Sequence, residues 1–487
     1  MAIWALVMLG LYNAGAGHYD YVRINRAFNT STLWDSGVSI VAAVRGHMVD
    51  DGDLRRYYSY TNALLGRPYL AYYVRGWESW QREFALGQPA PIDDGPLRTP
   101  AQPLQPYRDY LVEYPPGFFL FTLLPALLVP PGDNSDLFRV LFCTEMALLL
   151  GGATWLCARM RRLLPAGAVV SAESWLWLLG AAGALLLGTV ATHRFDPVVS
   201  AFLCAIAWAA LTARPALAGA LLAAAVVSKG VPLLGTPIWA VYVLLRPQAS
   251  RVAADRGGFW RALLAALLVG GVFAAGTLFF YGQAPFDSLR YHSLRPLQIE
   301  STGAALLGLF QALWPGSIEH VMSYGSSNLI PAGDTLVGLD AALRKLSSPL
   351  LILGAMTVYA ITGIRLRALA QRGRLAAMGE WALRGQAAVL VVYMVAGKVF
   401  SPQYLVWLLP LGLFLSLRLG IAMTALFLGI LGLTQLVFPG LYGALQDLRP
   451  WAFAVLLLRN GALLLWAVLL MTLPLPAAIR PRSRGCA

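Results

Sequence analysis

The sequence predicts an all-α fold, a polytopic bundle of transmembrane helices whose long first extracytoplasmic loop bears interfacial helices. Three observations support this prediction: an apolar composition, a succession of long apolar segments, and arginine concentrated in alternate short loops. Of the 487 residues, 58% are hydrophobic and 13% are charged, whereas soluble domains carry roughly 25% charged residues. Because so few charges cannot cover a water-facing surface, most of the chain must face lipid or other apolar helices.

The apolar segments give the candidate spans, since a bilayer core needs about 20 apolar residues per helix. About twelve segments qualify, and they lie near residues 1–14, 137–158, 174–192, 197–213, 216–229, 231–245, 260–281, 347–365, 386–398, 403–417, 419–438 and 451–471. Several are short, which favours broken helices packed around a cavity. The segment from Gly117 to Pro131 would be only about 20 Å long as a helix. We interpret it as a partial or re-entrant helix.

Arginine sets the predicted orientation, because short cytoplasmic loops are enriched in positive charge. One set of alternate loops and the C-terminal tail contain Arg159, Arg161, Arg162, Arg246, Arg251, Arg256, Arg261, Arg365, Arg367, Arg372, Arg374, Arg480, Arg482 and Arg484. Placing these residues in the cytoplasm explains the net charge of +13 without a nucleic-acid partner. The expected location is the bacterial inner membrane, with both termini cytoplasmic and the opposite loops facing the periplasm or exterior.

The predicted organisation is a single membrane-embedded domain, residues 1–487. Residues 1–14 form an uncleaved first span, and residues 15–116 form the first extracytoplasmic loop. Residues 117–471 form the bundle, with an outer loop near 282–346, and residues 472–487 form a cytoplasmic tail. The four cysteines include no CxxC pair, so neither a disulfide framework nor a zinc site is expected.

Six polar clusters interrupt the apolar chain, and the predicted orientation puts all of them on the outward side. The first is Asp50-Asp51-Gly52-Asp53, directly before a predicted helix from Leu54 to Leu65 that carries Tyr57. These carboxylates could simply cap the helix. Alternatively, one of them is a general base that takes the proton of an attacking sugar hydroxyl. The Asp-x-Asp spacing of Asp51 and Asp53 also occurs where a divalent metal binds beside a phosphate.

The next three clusters surround Glu113, the segment His193-Arg194-Phe195-Asp196-Pro197, and Lys229. Glu113 precedes two prolines at the start of an apolar segment, where it is either solvated or shapes a donor site with Arg108. Lys229 divides an apolar run, and a lysine inside a membrane is costly enough to suggest a function. Its natural partner there is a phosphate, and snorkelling to the interface is the alternative.

The last two clusters are polar breaks later in the chain. Residues 291–301 contain His292, Arg295, Gln298 and Glu300, which together suit a phosphate and a sugar, although a solvated loop face is equally compatible. Residues 397–404 separate two apolar helices and include Gln403 and Tyr404 in their last two positions. The chain contains no P-loop, GxGxxG, HExxH or GxSxG elbow, so nucleotide-driven transport and common hydrolase chemistry lack support.

The order of these motifs resembles the GT-C superfamily of integral-membrane glycosyltransferases. It is most similar to the bacterial mannosyltransferases that depend on polyprenol-phosphate-mannose. The motifs are the acidic first loop, Glu113-Tyr114-Pro115-Pro116, Arg194-Phe195-Asp196, Lys229-Gly230-Val231-Pro232, Tyr291-His292 with Arg295, Gln298 and Glu300-Ser301, and Ser401-Pro402-Gln403-Tyr404. They cover most of the chain, and those around His292 and Ser401 are the more specific.

The resemblance implies a GT-C-like bundle that transfers mannose or a related sugar from a polyprenyl phosphate, with inversion, to an extracytoplasmic glycan, glycolipid or protein. It implies catalytic residues in the polar loop. Asp53 is the best match for the base, Asp51 or Asp50 could hold that role instead, and Glu113 is a further catalytic candidate. The implied donor-phosphate ligands are Lys229, Arg194, His292 and Arg295. The remaining substrate-binding candidates are Asp196, Gln298, Glu300, Gln403, Tyr404 and Tyr57. No cofactor is assigned, and a divalent metal (Mg²⁺ or Mn²⁺) at Asp51 and Asp53 stays open.

Two other functions fit parts of the sequence. A transporter or lipid flippase would explain broken helices and an intramembrane lysine, but such proteins are often built from repeats, and no repeat is visible. A transferase similar to O-antigen ligases would also act outside the cytoplasm, on a diphosphate-linked glycan.

Overall fold

The computed structural model describes residues 52–71, 73–76, 97–132, 135–165, 173–250, 257–282 and 294–475. The first predicted span, residues 1–14, and the predicted tail from residue 476 lie outside these ranges. The helices in the described ranges are α1 (Gly52–Leu64), α2 (Phe119–Leu128), α3 (Ser135–Met160), α4 (Glu173–Leu187), α5 (Pro197–Leu211), α6 (Pro215–Ser228), α7 (Thr236–Ser250), α8 (Gly258–Tyr281), α9 (Thr302–Phe310), α10 (Val337–Gln371), α11 (Leu375–Ala396), α12 (Tyr404–Leu419), α13 (Ile421–Gln435), α14 (Tyr442–Gln446) and α15 (Pro450–Thr472).

The prediction of a helical membrane bundle is confirmed at this level. In the described part of the chain, seven helical segments are long and apolar enough to cross a membrane, and each matches a predicted span. They are Ser135–Leu163, Glu173–Ala191, Gly258–Tyr281, Val337–Gln371, Leu375–Ala396, Ile421–Gly440 and Pro450–Thr472.

Four other predicted spans are shorter apolar helices: Pro197–Leu211, Pro215–Ser228, Val231–Pro247 and Tyr404–Leu419. The segment that we interpreted as a partial helix is helical over Pro116–Leu128, which is too short to cross a bilayer core about 30 Å thick. The short helices therefore end inside the protein, where their polar ends need partners.

Helix α1 is buried on all sides from Tyr57 to Ala63. Leu54, Tyr57, Tyr58 and Thr61 occupy positions i, i+3, i+4 and i+7 of one helix face, and all four are buried. Tyr57 packs edge-on against the ring of Phe118, with ring centroids 5.1 Å apart. This aromatic core joins α1 to the start of α2.

Arg67 ties the segment after α1 to the end of α2. Its Nη1 donates to the backbone carbonyls of Ala126, at 2.7 Å, and Val129, at 3.0 Å. The last carbonyls of a helix lack partners within it and carry partial negative charge, so a guanidinium group there is favourable. The polar region before the bundle is therefore attached to it by both packing and charge.

The predicted outer loop contains structure that the sequence analysis did not anticipate. Besides α9, it holds β3 (Leu297–Gln298), β4 (Ile318–Ser323) and β5 (Ser326–Pro331), which form a small antiparallel sheet in the order β3-β5-β4. Tyr324 and Gly325 make the hairpin turn with φ of 52° and 64°, as a two-residue turn of type I′ requires. A second pair, β1 (Tyr69–Leu70) and β2 (Leu97–Arg98), lies after α1.

Helix α11 is the central helix of the bundle, since 83% of the residues in its most apolar stretch are buried. Helix α8 lies at the periphery, because none of the residues in its most apolar stretch is buried. Burial of α11 brings Glu380 and Arg384 into the interior. Arg384 Nη2 donates to Glu380 Oε1 at 2.8 Å, and Arg418 of α12 donates to Glu380 Oε2 at 2.6 Å. One buried carboxylate thus compensates two buried guanidinium groups.

The same guanidinium groups reach other elements through backbone carbonyls. Arg384 Nη1 donates to Leu473 O at 2.7 Å, just after α15. Arg418 Nη2 donates to Pro165 O at 2.5 Å, in the segment after α3. This network therefore connects α11, α12, α15 and the chain after α3 at one end of the bundle.

Substitution Glu380→Gln should destabilise the bundle, because it leaves two buried guanidinium groups without their counter-charge. Removing one partner of a buried ion pair costs about 3–5 kcal/mol. We expect a loss of that size in the free energy of unfolding, measured by unfolding of the detergent-purified protein. Glu319→Gln, at an exposed position on β4, is the matched control. Equal stability of both variants would contradict this role for Glu380.

Candidate active site

A single cavity with a volume of about 680 Å³ brings the six polar clusters together. Each cluster contributes at least one residue to its wall: Asp53, Glu113, Arg194, Lys229, Glu300 and Gln403 come from the first to the sixth in order. The tip of the β4–β5 hairpin and the start of α10 complete the wall. The first and the sixth cluster, which are 350 residues apart in the chain (Asp53 to Gln403), therefore line the same cavity.

Asp53 and Glu113 form an acidic end that is held by arginines. Asp53 Oδ2 is in close ion-pair contact with Arg194 Nη1. Its other oxygen lies 3.6 Å from Arg56 Nη1, which is longer than a hydrogen bond. Arg56, one helical turn after Asp53 on α1, donates to Glu113 at 2.5 Å. Arg108, which we expected beside Glu113, is exposed and contacts Asp109 instead.

Lys229 reaches the cavity because α6 stops directly before it. Lys229 has extended backbone, and a 3-10 turn over Val231–Gly235 redirects the chain into α7. A Cβ on Gly117 would lie 2.6 Å from Val227 O, so a glycine is needed where the start of α2 meets the end of α6. This close approach places the Glu113 segment next to Lys229.

The ammonium group of Lys229 is paired and surrounded by aromatic rings. Its Nζ donates to Asp196 Oδ1 at 2.7 Å, and Trp407 Nε1 donates to the same oxygen at 2.5 Å. The ring centroids of Trp407, Tyr114 and Tyr404 lie 5.2, 5.7 and 6.0 Å from Nζ, distances at which a cation is attracted to the ring face. Asp196 is buried behind Lys229, so it positions the lysine rather than contacting a ligand directly.

Arg295, Arg344 and Lys398 form a cationic end of the cavity. Burial, then Arg295 and then Arg344 lower the pKa of Lys398, because like charges nearby disfavour its protonated form. Arg295 Nη2 donates to Ser326 Oγ at 2.7 Å at the hairpin tip, and Arg344 pairs with Asp340 one turn earlier on α10. Crowded cations of this kind attract an anion such as a phosphate.

Gln298 and Glu300 line the cavity, Gln298 at the end of β3 and Glu300 in the turn that leads from β3 into α9. Phe400 N donates to Gln298 Oε1 at 2.8 Å, so the amide NH₂ of Gln298 turns toward Glu300 Oε2, 3.1 Å away. Burial raises the pKa of Glu300 to about 7, and Arg459, Gln298 and Arg194 partly offset this rise. The environment of Glu300 therefore favours its neutral, protonated form more than water does.

The structure places the remaining sequence-predicted site residues in different ways. Tyr57 was expected to bind substrate, but it is fully buried in the aromatic core of α1. Its hydroxyl lies 3.1 Å from the hydroxyl of Tyr114, which lines the cavity in its place. Burial raises the pKa of Tyr57 above its usual value. Asp51 and His292 lie outside the described residues, so their roles stay predictions. Gln403 and Tyr404 line the cavity.

The surroundings of Asp53 do not favour a divalent metal. Two guanidinium groups, those of Arg194 and Arg56, already compensate its charge, and a cation beside them would be repelled. Among the described residues, no group of three or more His, Cys, Asp and Glu side chains is arranged to hold a metal ion. Metal dependence at Asp51 and Asp53 stays a prediction that chelation can test.

Three charged residues of the cavity wall, Arg56, Lys398 and Arg344, were not among the predicted site residues. Arg56 could have been found from its spacing, one turn after Asp53 on the same helix. Lys398 stood in the sixth cluster, at a polar break between two helices. Arg344 gave a weaker signal, four residues after Asp340 in a segment predicted to be loop, because α10 begins earlier than its apolar pattern indicates.

The chain matches no protein-family model and no curated protein sequence.

Proposed function

We propose that this protein is an integral-membrane glycosyltransferase of the GT-C type, which transfers a sugar from a polyprenyl phosphate to an acceptor hydroxyl. The observation that carries the proposal is the cavity itself. It combines a carboxylate, Asp53, with a separate cluster of cations, Arg295, Arg344 and Lys398, inside a helical bundle. Transfer from a lipid phosphate needs both parts, a base for the acceptor and a positive site for the leaving phosphate.

The apolar part of the wall supports a lipid donor. Val231, Leu233, Leu234 and Leu351 line the cavity between the start of α7 and α10, and Leu233 is exposed. An isoprenoid chain could leave the cavity along these side chains while its phosphate stays with the cations. The donor would be made and delivered by other proteins, so the absence of a nucleotide-binding motif from the sequence agrees with this function.

The reaction is a single displacement. The acceptor oxygen attacks the anomeric carbon, the bond between that carbon and the phosphate oxygen breaks, and the phosphate leaves with the electron pair. Asp53 Oδ1, whose distance to Arg56 exceeds a hydrogen bond, takes the acceptor proton. Arg295, Arg344 and Lys398 stabilise the charge that grows on the phosphate. One displacement inverts the configuration at the sugar carbon.

The donor phosphate ligands in this proposal differ from those expected from the resemblance. Arg194 is engaged with Asp53 and Lys229 with Asp196, and their side chains are only 13% and 17% exposed, so both would have to exchange a carboxylate for the phosphate. Arg344 is also paired, with Asp340, but its side chain is 43% exposed, which leaves guanidinium donors for a phosphate. Arg295 keeps its predicted role, and Arg344 and Lys398 join it. We propose mannose or a related sugar as the transferred group, and the periplasmic or outer side of a bacterial inner membrane as the location.

Substitution Asp53→Asn should abolish transfer, because an amide cannot accept the acceptor proton. General-base catalysis contributes about 10²–10⁴-fold to rate, so we expect kcat to fall by at least about 100-fold. The assay reconstitutes the purified protein in liposomes with radiolabelled polyprenyl-phosphate sugars and a cell-envelope fraction as acceptor. Asp334→Asn, an exposed aspartate of the outer segment, is the control. Full transfer by Asp53→Asn would disprove the assignment of the base.

Substitution Lys398→Ala should weaken donor binding. A charge-assisted hydrogen bond to phosphate is worth about 1.5–3 kcal/mol, so we expect the KM for the donor to rise at least about tenfold. Lys345→Ala is the matched control, because Lys345 is exposed and directly follows Arg344 on α10. An unchanged donor KM in Lys398→Ala, measured in the same liposome assay, would remove Lys398 from the phosphate site.

A further inference from the structure

Glu300 is held rigidly at the inner wall of the cavity. Gln298 N donates to Lys398 O at 3.0 Å, and Ile299 N donates to Ser327 O at 3.0 Å. Ser301 caps α9, its Oγ accepting from Ala304 N at 3.1 Å. Backbone bonds on both sides of Glu300 therefore fix where its side chain begins, as a recognition residue requires.

One carboxyl oxygen of Glu300 has no hydrogen-bond partner in the part of the chain that the structure describes. Oε2 accepts from Gln298 Nε2, whereas Oε1 is buried and has no hydrogen-bond partner among the described residues. The residue as a whole is 1% exposed, yet it forms part of the cavity wall. Buried polar atoms almost always have a hydrogen-bond partner, so we expect Oε1 to bind a group of a ligand in the cavity.

Two neighbours of Glu300 also have buried polar atoms without a hydrogen-bond partner among the described residues. Arg459 and Asn460 of α15 are buried, and Arg459 Nη2 donates to Glu300 O at 3.3 Å. Within the described chain, Arg459 Nε and Nη1 and Asn460 Oδ1 also have no hydrogen-bond partner. Arg459 instead lies over the ring of Phe400, 4.0 Å from its centroid. Unsatisfied donors and acceptors thus concentrate around this carboxyl group.

The chemistry at Glu300 suits a hydroxyl group rather than a phosphate. A carboxylate repels a phosphate, whereas a hydroxyl donates one hydrogen bond and accepts others. Burial raises the pKa of Glu300 to about 7, so near neutral pH its carboxyl group can accept or donate to a neutral partner. The phosphate would instead lie with Arg295, Arg344 and Lys398. A bound sugar presents several hydroxyl groups to this inner wall.

We propose that Glu300 is a sugar-recognition residue, whose Oε1 binds a hydroxyl group of the sugar that is transferred. The inference rests on the proposed glycosyltransferase function and adds a residue that selects among donors. A site built to bind a hydroxyl group discriminates strongly against the analogue that lacks it, because the buried polar group is then left unpaired. Glu300 therefore makes one hydroxyl position of the donor sugar essential.

The test measures kcat/KM for polyprenyl-phosphate mannose and its four monodeoxy analogues with the wild-type protein, Glu300→Ala and Glu300→Gln. We expect one deoxy donor to lose about tenfold to a hundredfold in kcat/KM with the wild type. Glu300→Ala should reduce that same penalty to less than about threefold, while the penalties at other positions stay unchanged. Glu300→Gln should keep part of the discrimination, because an amide also binds a hydroxyl group.

The outcomes separate this inference from the proposed function. Wild-type transfer combined with equal deoxy penalties in wild type and Glu300→Ala would overturn the role of Glu300 and leave the glycosyltransferase intact. If Glu300→Ala does not fold, the wild-type series still decides, because the lack of any position with a tenfold penalty would overturn the inference. Absence of transfer with any polyprenyl-phosphate sugar would overturn both. Glu319→Gln serves as the control for a carboxylate outside the cavity.

Discussion

The architecture of the cavity depends on one constraint: a charge that is removed from water must be paired. The ion pairs Asp53–Arg194, Arg56–Glu113 and Lys229–Asp196 each join two different segments of the chain. They attach α1 to the loop before α5, the Glu113 segment to α1, and the end of α6 to the start of α5. Breaking a buried pair leaves an uncompensated charge. These ion pairs therefore stabilise the contacts between the short helices and also determine which segments meet.

The pairing also gives different parts of the cavity wall a different local charge. At the Asp53 end each carboxylate faces a guanidinium group, so positive and negative charges balance locally. In another part of the wall, Arg295, Arg344 and Lys398 lie close enough that burial and then the two arginines lower the pKa of Lys398. An anionic ligand is attracted to these cations more strongly than to the ion pairs around Asp53. Such fixed dipoles cost no reorganisation when charge develops during a reaction.

The fold and the membership of the cavity were largely predictable from the sequence, for a physical reason. In a chain this apolar, a polar cluster such as the one around Lys229 is expensive unless it has a partner or a task. Six such clusters on one predicted side had to meet in a common polar space. The seven long apolar segments were equally visible, since length and hydropathy alone determine whether a helix can span.

Side-chain pairing was not predictable in the same way, because it depends on which other segments pack against each residue. Asp53 and Tyr57 are four residues apart and share a face of α1, yet Asp53 lines the cavity, whereas the rings of Tyr114 and Phe118 cover Tyr57. Lys229 and Arg194 were expected to bind the donor phosphate, whereas each is paired with a carboxylate. The hairpin of β4 and β5 was not predicted, because its two strands are six residues each and lie within the segment predicted as an outer loop.

The donor in the proposed reaction would be held at two points of the cavity wall. A phosphate at Lys398 and a sugar hydroxyl at Glu300 fix those two points, which limits the positions that the anomeric carbon between them can take. Arg194 pairs with Asp53 and also acts electrostatically on Glu300, so Asp53 lies near the wall that carries Glu300. A single inverting displacement requires the acceptor oxygen to approach the anomeric carbon on the side away from the phosphate. In the proposed reaction the sugar would therefore lie between Asp53 and the cations that bind the phosphate.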